Sequence, residues 1–307
     1  MKFLVVGPGA MGCLFAVRLK KAGHEVTLLD HRKERADLIN HQGVLVEGIT
    51  GEYREKISTV TEGPLTTPDF VLLCVKAYNT REAGLSMKQW IKGGAVIVTL
   101  QNGVGNLEIL EEIYGRERVL GGVTAEGATL LGPGRIRHAG QGETLLGPAK
   151  GPDSPAEALV SALNGAGFNS RAVANAHHLI WGKLVINVGI NALAAIVGVK
   201  NGRVPELSGT RKIMEEAVRE AVAVTTAKGI QLPYPDPLVR VIEVCKGTSG
   251  NIASMLQDVL GEKPTEIDFI NGAIVREGAA LGIATPANHT LTCLVQAIQE
   301  TYRERIR

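Results

Sequence analysis

The sequence has 307 residues, 45% of them hydrophobic and 21% charged, which describes a globular chain long enough for about two domains with buried cores. Its 33 Lys and Arg against 31 Asp and Glu leave a formal charge of +2, excluding the whole-molecule field that nucleic acid or an anionic membrane would require of a partner. Cys13, Cys74, Cys245 and Cys293 show no spacing suited to zinc, so no metal is expected. Cys13 and Cys74 read as small core residues in a reducing, cytoplasmic setting. The opening run Met1 to Val6 is interrupted by Gly7, Pro8, Gly9 and Gly12 and does not read as a signal peptide. No apolar run is expected to reach the roughly 18 residues of a membrane span.

Through about residue 170, short β-branched runs alternate with amphipathic stretches, as in consecutive βαβ units. The predicted strands are Lys2 to Val6, Glu25 to Asp30, Phe70 to Val75, Ala95 to Leu100 and Val119 to Gly122. Three glycine-punctuated stretches follow, Val123 to Leu131, Gly134 to His138 and Glu143 to Gly147, and are expected to complete the far edge of the same sheet. After Phe168 to Val173, segments of helical length dominate: His177 to Val199, Thr210 to Lys228, Pro237 to Cys245, Glu266 to Leu281 and Pro286 to Arg305. The fold class is therefore α/β, with an N-terminal Rossmann-like, mostly parallel sheet and its helices over residues 1–174, followed by an all-α C-terminal domain over 175–307. There is no internal repeat or long linker.

The strongest local signal is Gly7-Pro8-Gly9-Ala10-Met11-Gly12, directly after a predicted strand and opening a helix. The first glycine permits the tight turn, the second lets backbone approach a pyrophosphate, and the third lets helix and strand pack closely; the helix N-terminus then faces the phosphate charge. The second strand ends at Asp30, followed by His31, Arg32 and Lys33. An acid there suits the ribose hydroxyls of NAD, whereas Arg32 can clamp the 2′-phosphate of NADP, so NADPH and NADH both stay open. Val75-Lys76 and Gln101-Asn102-Gly103 place polar residues at two further strand ends, where ligands of open α/β sheets bind.

In the helical half, Lys183, Asn187 and Asn191 fall at i, i+4 and i+8 of an otherwise apolar helix and therefore share one face. Asparagine is a poor helix former beside the Lys, Glu and Gln of ordinary solvated faces, which points to a ligand rather than to solvent. A third string, Asn251 to Asp258, leads into Lys263 to Gly272, where Thr265 is placed to cap a helix starting at Glu266.

Taken in order, Gly7 to Gly12, Val75-Lys76, Gln101-Asn102-Gly103, Lys183 with Asn187 and Asn191, and Asn251 to Asp258 with Glu266 to Gly272 resemble ketopantoate reductase over nearly the whole chain. The glycine motif is shared by many dehydrogenases; the lysine-asparagine helix and the SMLQD and TEIDFING strings are far more specific. The resemblance implies reduction of 2-dehydropantoate, a 2-keto acid, to pantoate by NADPH on the route to pantothenate and coenzyme A. It implies Lys183 as general acid, Glu266 as its partner near the cofactor ribose and the substrate, and Asn187, Asn191, Asn201 and Ser254, with Asn251 beside them, as substrate ligands. Lys76 and Asn102 resemble cofactor-side residues, Asn102 being counted with the substrate ligands too, and Ala128 falls where the family contacts the cofactor. Gly7, Pro8, Gly9, Ala10, Met11, Gly12, Asp30, His31 and Arg32 complete the cofactor set. The family often has Arg at the position of His31, so NADH remains an alternative. Two other readings are a reductase of the same architecture for another 2-keto or 3-hydroxy acid, and a non-catalytic NAD(P)H sensor; a sensor has no reason to keep a lysine on one face with two asparagines. A homodimer is compatible with the sequence, and neither nucleic acid nor membrane is expected as a partner.

Overall fold

The apolar, β-branched runs of the first half become strands because glycines and polar residues bound them and both faces can be covered. The computed structural model describes residues 1–63, 66–91, 93–148 and 155–304. In chain order its first half holds β1 (Lys2–Val6), α1 (Ala10–Lys21), β2 (Glu25–Leu29), α2 (Lys33–Gln42), β3 (Val44–Gly48), β4 (Tyr53–Glu55), β5 (Ser58–Val60), β6 (Phe70–Leu73), α3 (Thr80–Met87), β7 (Val96–Thr99), α4 (Asn106–Tyr114), β8 (Val119–Thr124), β9 (Gly127–Gly132), β10 (Arg135–Gly140), β11 (Glu143–Gly147), α5 (Ala156–Gly165) and β12 (Asn169–Ala172). The second half holds α6 (His177–Val197), α7 (Ser208–Ala227), α8 (Pro237–Gly247), α9 (Ser254–Leu260), α10 (Asn271–Leu281) and α11 (Pro286–Glu300). The chain divides into two units, Met1–Gln101 with Asn106–His177, and Asn102–Gly105 with His178–Arg307.

In the first unit an eight-stranded sheet runs β12-β11-β8-β7-β6-β1-β2-β5, parallel throughout except where β11 meets β8 antiparallel. Val6 of β1 lies level with Leu29 of β2 on one side and Leu73 of β6 on the other. The winding thus reverses beside β1, and its carboxyl end is a topological switch point.

The expectation for the glycine-punctuated stretches holds only for β11. β9 and β10 instead join β3 and β4 in a separate four-stranded sheet, order β4-β3-β10-β9, with Ile136 opposite Val46. Ala128 accordingly lies on β9 in the small sheet, not at the far edge of the large one. The break between β8 and β9 falls at Glu126, whose buried carboxylate meets His138 Nε2 at 2.7 Å while its backbone N–H donates to Thr124 Oγ1 at 3.2 Å. The small sheet also explains why α1 is buried all round: every residue from Gly12 to Leu19 is buried, the apolar ones against residues of both sheets and Arg18 with its guanidinium donating to the Ala166 carbonyl.

The second unit is organised on α6. Leu184, Val185, Val188, Ala192 and Leu193 are buried against Met214, Val218, Val241, Cys245, Ile274 and Val295 from the surrounding helices. Two glycines on α6 permit that approach, since a Cβ at Gly189 would stand 2.8 Å from Val241 Cγ1 and one at Gly182 would stand 2.7 Å from Pro233 Cδ. By length and composition α6 is in fact apolar enough to cross a membrane, contrary to expectation; 67% of its most apolar stretch is buried in the protein, as in a core helix. The segment predicted as one helix from Glu266 begins instead with a 3-10 turn, Ile267–Phe269, with Thr265 Oγ1 accepting from Ile267 N at 3.3 Å, and α10 starts only at Asn271. Ser254 opens a short helix where none was predicted. The last helix stops at Glu300, and Arg305, its predicted end, lies outside the described residues.

Candidate active site

In the first unit the loop Gly7 to Gly12 leaves β1 at the switch point and enters α1. Gly7 has a φ of +94°, and a Cβ there would stand 2.8 Å from Val75 Cγ1; Gly12 has no room because its Cβ would collide with the Gly7 carbonyl oxygen. Gly9 differs from both. Its φ of −76° is open to any residue, and no atom beyond the adjoining residues lies within 4 Å of where its Cβ would be. Neither backbone strain nor protein packing calls for glycine at that position, but a pyrophosphate approaching the backbone does. No side chain caps α1 and no acid sits in its first turn, so its N-terminal amides face outward without a competing anion. The residues therefore fit a dinucleotide phosphate, with Pro8, Ala10 and Met11 completing the cradle.

At the end of β2, Asp30 is 1% exposed, and its carboxylate accepts from Arg35 Nε, from Arg35 Nη2 at 2.6 Å and from the backbone N of Arg32 at 3.0 Å. His31 and Arg32 are exposed, with Arg32 Nε 3.3 Å from His31 Nε2. Arg35 escaped the sequence reading because it sits one turn into α2, beyond the loop that carries the motif. Lys76 is half-buried just past β6. Gln101 is a brace: its Nε2 donates to Val75 O at 2.7 Å and to Thr80 Oγ1 at 2.9 Å, tying the end of β7 to the end of β6.

The second unit gathers most of the remaining predicted residues. Lys183, Asn187 and Asn191 lie on one face of α6, Lys183 and Asn187 half-buried and Asn191 6% exposed. Burial pushes the Lys183 ammonium down from its ordinary 10.5 to about 8, and the charge of Glu266 opposes that shift. Glu266 is itself buried, immediately before the Ile267–Phe269 turn. Asn187 and Asn191 make no side-chain hydrogen bond among the described residues, which leaves both amides open to a ligand.

Asn102 reaches this unit through its neighbours. Gly103 has a φ of +83° and no space for a Cβ against the Phe269 carbonyl, and Val104 N donates to that carbonyl at 3.1 Å. This latch holds Asn102 beside the Glu266 turn and explains why Asn102–Gly105 belongs with the helices. Asn201 N donates to Asn251 O at 3.1 Å, so those two meet, but Asn201 Nδ2 is committed to Thr248 Oγ1 at 3.0 Å while its buried Oδ1 has no partner among the described residues. Asn251 and Ser254 are exposed.

Sequence reasoning also passed over Asn271 and Asn288, both fully buried. Asn271 Nδ2 donates to Val188 O at 3.2 Å and to Asn288 Oδ1 at 3.0 Å, while Glu220 accepts from Ala287 N and Asn288 N at the start of α11. This network holds α6, α7, α10 and α11 together; an asparagine at the end of the FING string gives no hint of it.

A glycine loop at the switch point of a parallel sheet, followed by a helical unit with a lysine of lowered pKa, defines the architecture of a pyridine-nucleotide oxidoreductase. Two family models match the chain, Ketopantoate reductase PanE/ApbA over residues 3–151 and Ketopantoate reductase PanE/ApbA C terminal over 175–299. The chain belongs to the ketopantoate reductase family. It is 34% identical over 302 residues to the 2-dehydropantoate 2-reductase of Halobacterium salinarum, covering 97% of this chain and 99% of that protein. It is 35% identical over 300 residues to that of Pyrococcus horikoshii, covering 97% of each. A ketopantoate reductase structure from Ralstonia eutropha matches with a TM-score of 0.91 at 33% identity, covering 99% of this chain and 100% of that one. D-mandelate dehydrogenase with NADH and anilino(oxo)acetate matches with a TM-score of 0.92 at 29% identity, again covering 99% and 100%.

Proposed function

We propose that the protein reduces 2-dehydropantoate to pantoate with NADPH, Lys183 serving as the general acid. The observation that carries the reading is Lys183 itself: an ammonium brought down to about 8 by burial, with Glu266 favouring its charged form, at the head of two amides that nothing among the described residues engages. The bound coenzyme supplies the hydride. Lys183 stabilises the negative charge that grows on the substrate carbonyl oxygen and then donates its proton to that oxygen. With a pKa of about 8 it is still mostly protonated at neutral pH, yet a better acid than an ordinary lysine. Asn187 and Asn191, with Asn201, Asn251, Ser254 and Asn102, present neutral donors and acceptors suited to the hydroxyls and carboxylate of the substrate without competing with the lysine's charge. Gly7 to Gly12 and Lys76 would hold the pyrophosphate side of the coenzyme, and the family resemblance assigns Ala128 and Glu266 to the coenzyme as well. Exposed Arg32 and His31 favour the extra phosphate of NADPH over NADH.

The test is NADPH oxidation by the purified full chain with ketopantoate and with a panel of other 2-keto acids. Ketopantoate should be the best substrate, with turnover falling as pH rises through about 8 because Lys183 loses its proton there. An aryl 2-keto acid used in preference would overturn the substrate, and a rate that is flat across that pH range would overturn the acid.

A further inference from the structure

We infer that Arg35 sets coenzyme choice by holding the Asp30 carboxylate in a two-pronged pair, so that this strand-end acid neither binds ribose hydroxyls nor repels a 2′-phosphate. The inference rests on the reading of the β2 end as the ribose side of the coenzyme site. An acid at this position taken alone favours a free ribose. Here, however, three donors already converge on it, two from the Arg35 guanidinium and one from the Arg32 backbone, which occupy most of the roughly four acceptor sites of a carboxylate. The Asp30 side chain has no exposed surface, while 24% of the Arg35 side chain remains exposed. Asp30 and Arg35 both act electrostatically on the buried Cys13 thiol of α1, which places the pair beside the helix that follows the glycine loop. Over residues 30–35, Arg32, Lys33 and Arg35 stand against the carboxylates of Asp30 and Glu34, a balance of one positive charge that favours an anionic ligand. Arg35 is thus a positioning residue acting through Asp30.

The test compares affinity for adenosine 2′,5′-bisphosphate with that for adenosine 5′-phosphate by titration calorimetry on the full chain, alongside KM for NADPH and NADH. In Arg35→Ala the freed carboxylate should cut the preference for the bisphosphate by roughly a hundredfold, as expected for an uncompensated charge a few ångströms away. The double variant Asp30→Asn with Arg35→Ala carries no charge at residue 30 and should restore the preference to within about tenfold of wild type. Arg35→Lys, which keeps the charge but loses the planar fork, should fall between them and serves as the measurement if Arg35→Ala does not fold. Equal weakening of both ligands, an unchanged preference, or no rescue by Asp30→Asn would each overturn the inference. Wild-type protein with no preference for the bisphosphate would sink the NADPH reading, while the response of the affinity ratio to Arg35→Ala would still decide the role of Arg35.

Discussion

The glycine loop of the first unit and the polar face of α6 in the second are both short strings of sequence, but they work in opposite ways. The loop acts through missing side chains, and its geometry is local: the relevant atoms belong to Gly7, Gly12 and the neighbouring strand end at Val75. The α6 face acts through side chains whose chemistry is supplied from elsewhere. Lys183 is an ordinary surface lysine until neighbouring elements bury it and bring in Glu266 from another part of the chain. Substitutions in the loop should therefore act on coenzyme affinity or folding, whereas substitutions on α6 should act on chemistry.

The largest expected effect is at Lys183. Lys183→Ala should fold, bind coenzyme as the wild type does and lose about 10²- to 10⁴-fold in turnover, the usual contribution of a general acid. Unchanged turnover in stopped-flow or steady-state assays would erase the contrast between the two regions.

Next comes a contrast within the loop itself. Gly9→Val places its Cβ where no atom beyond the adjoining residues stands within 4 Å, so it should leave the thermal midpoint close to wild type while weakening coenzyme binding by at least about tenfold. Gly12→Ala forces a Cβ onto a backbone oxygen and should cost on the order of 1–3 kcal/mol of stability, read by denaturant unfolding. If both variants lost stability equally, Gly9 would be a packing glycine after all.

A smaller effect separates the substrate side from the coenzyme side. Asn191→Ala and Ser254→Ala should raise KM for ketopantoate by about tenfold, more for buried Asn191 than for exposed Ser254, and leave the coenzyme KM in place. A shift in the coenzyme constant instead would move these residues to the other side of the site.

The smallest effect is thermodynamic. Because the pKa of Lys183 is depressed from 10.5 to about 8 on folding, the unfolded chain binds more protons than the native protein between those values, and stability gains from this residue as pH rises across that window. Lys183→Met removes the gain, so the difference in unfolding free energy between wild type and variant should change by about 1 kcal/mol from pH 8 to pH 9. A pH-independent difference would mean that the lysine is not desolvated.

Much of this was legible because it depends on neighbours in sequence. The strands β1, β2, β6, β7 and β8 are apolar runs with polar ends, and α6, α7, α8 and α11 carry helical periodicity with glycine or proline at their limits. The small sheet was not legible: β4 has only three residues, and β10 finds β3 across a separation in sequence that no local pattern records. Arg35 lay outside the motif that drew attention to Asp30, and nothing in the string around Asn102-Gly103 announces that its backbone latches to Phe269.

The sequence by itself determined the family, the parallel sheet with its glycine turn, the helical second half and the lysine-asparagine face, because each is written in spacing, in backbone permissiveness or in specific strings. Tertiary structure decided what those residues can do. It lowered the pKa of Lys183 by burial, set Glu266 against that shift, moved Ala128 to a second sheet and joined Asp30 to Arg35. The physical reason is that desolvation and charge pairing depend on distance in space, and chain separation says little about that distance once the chain has folded.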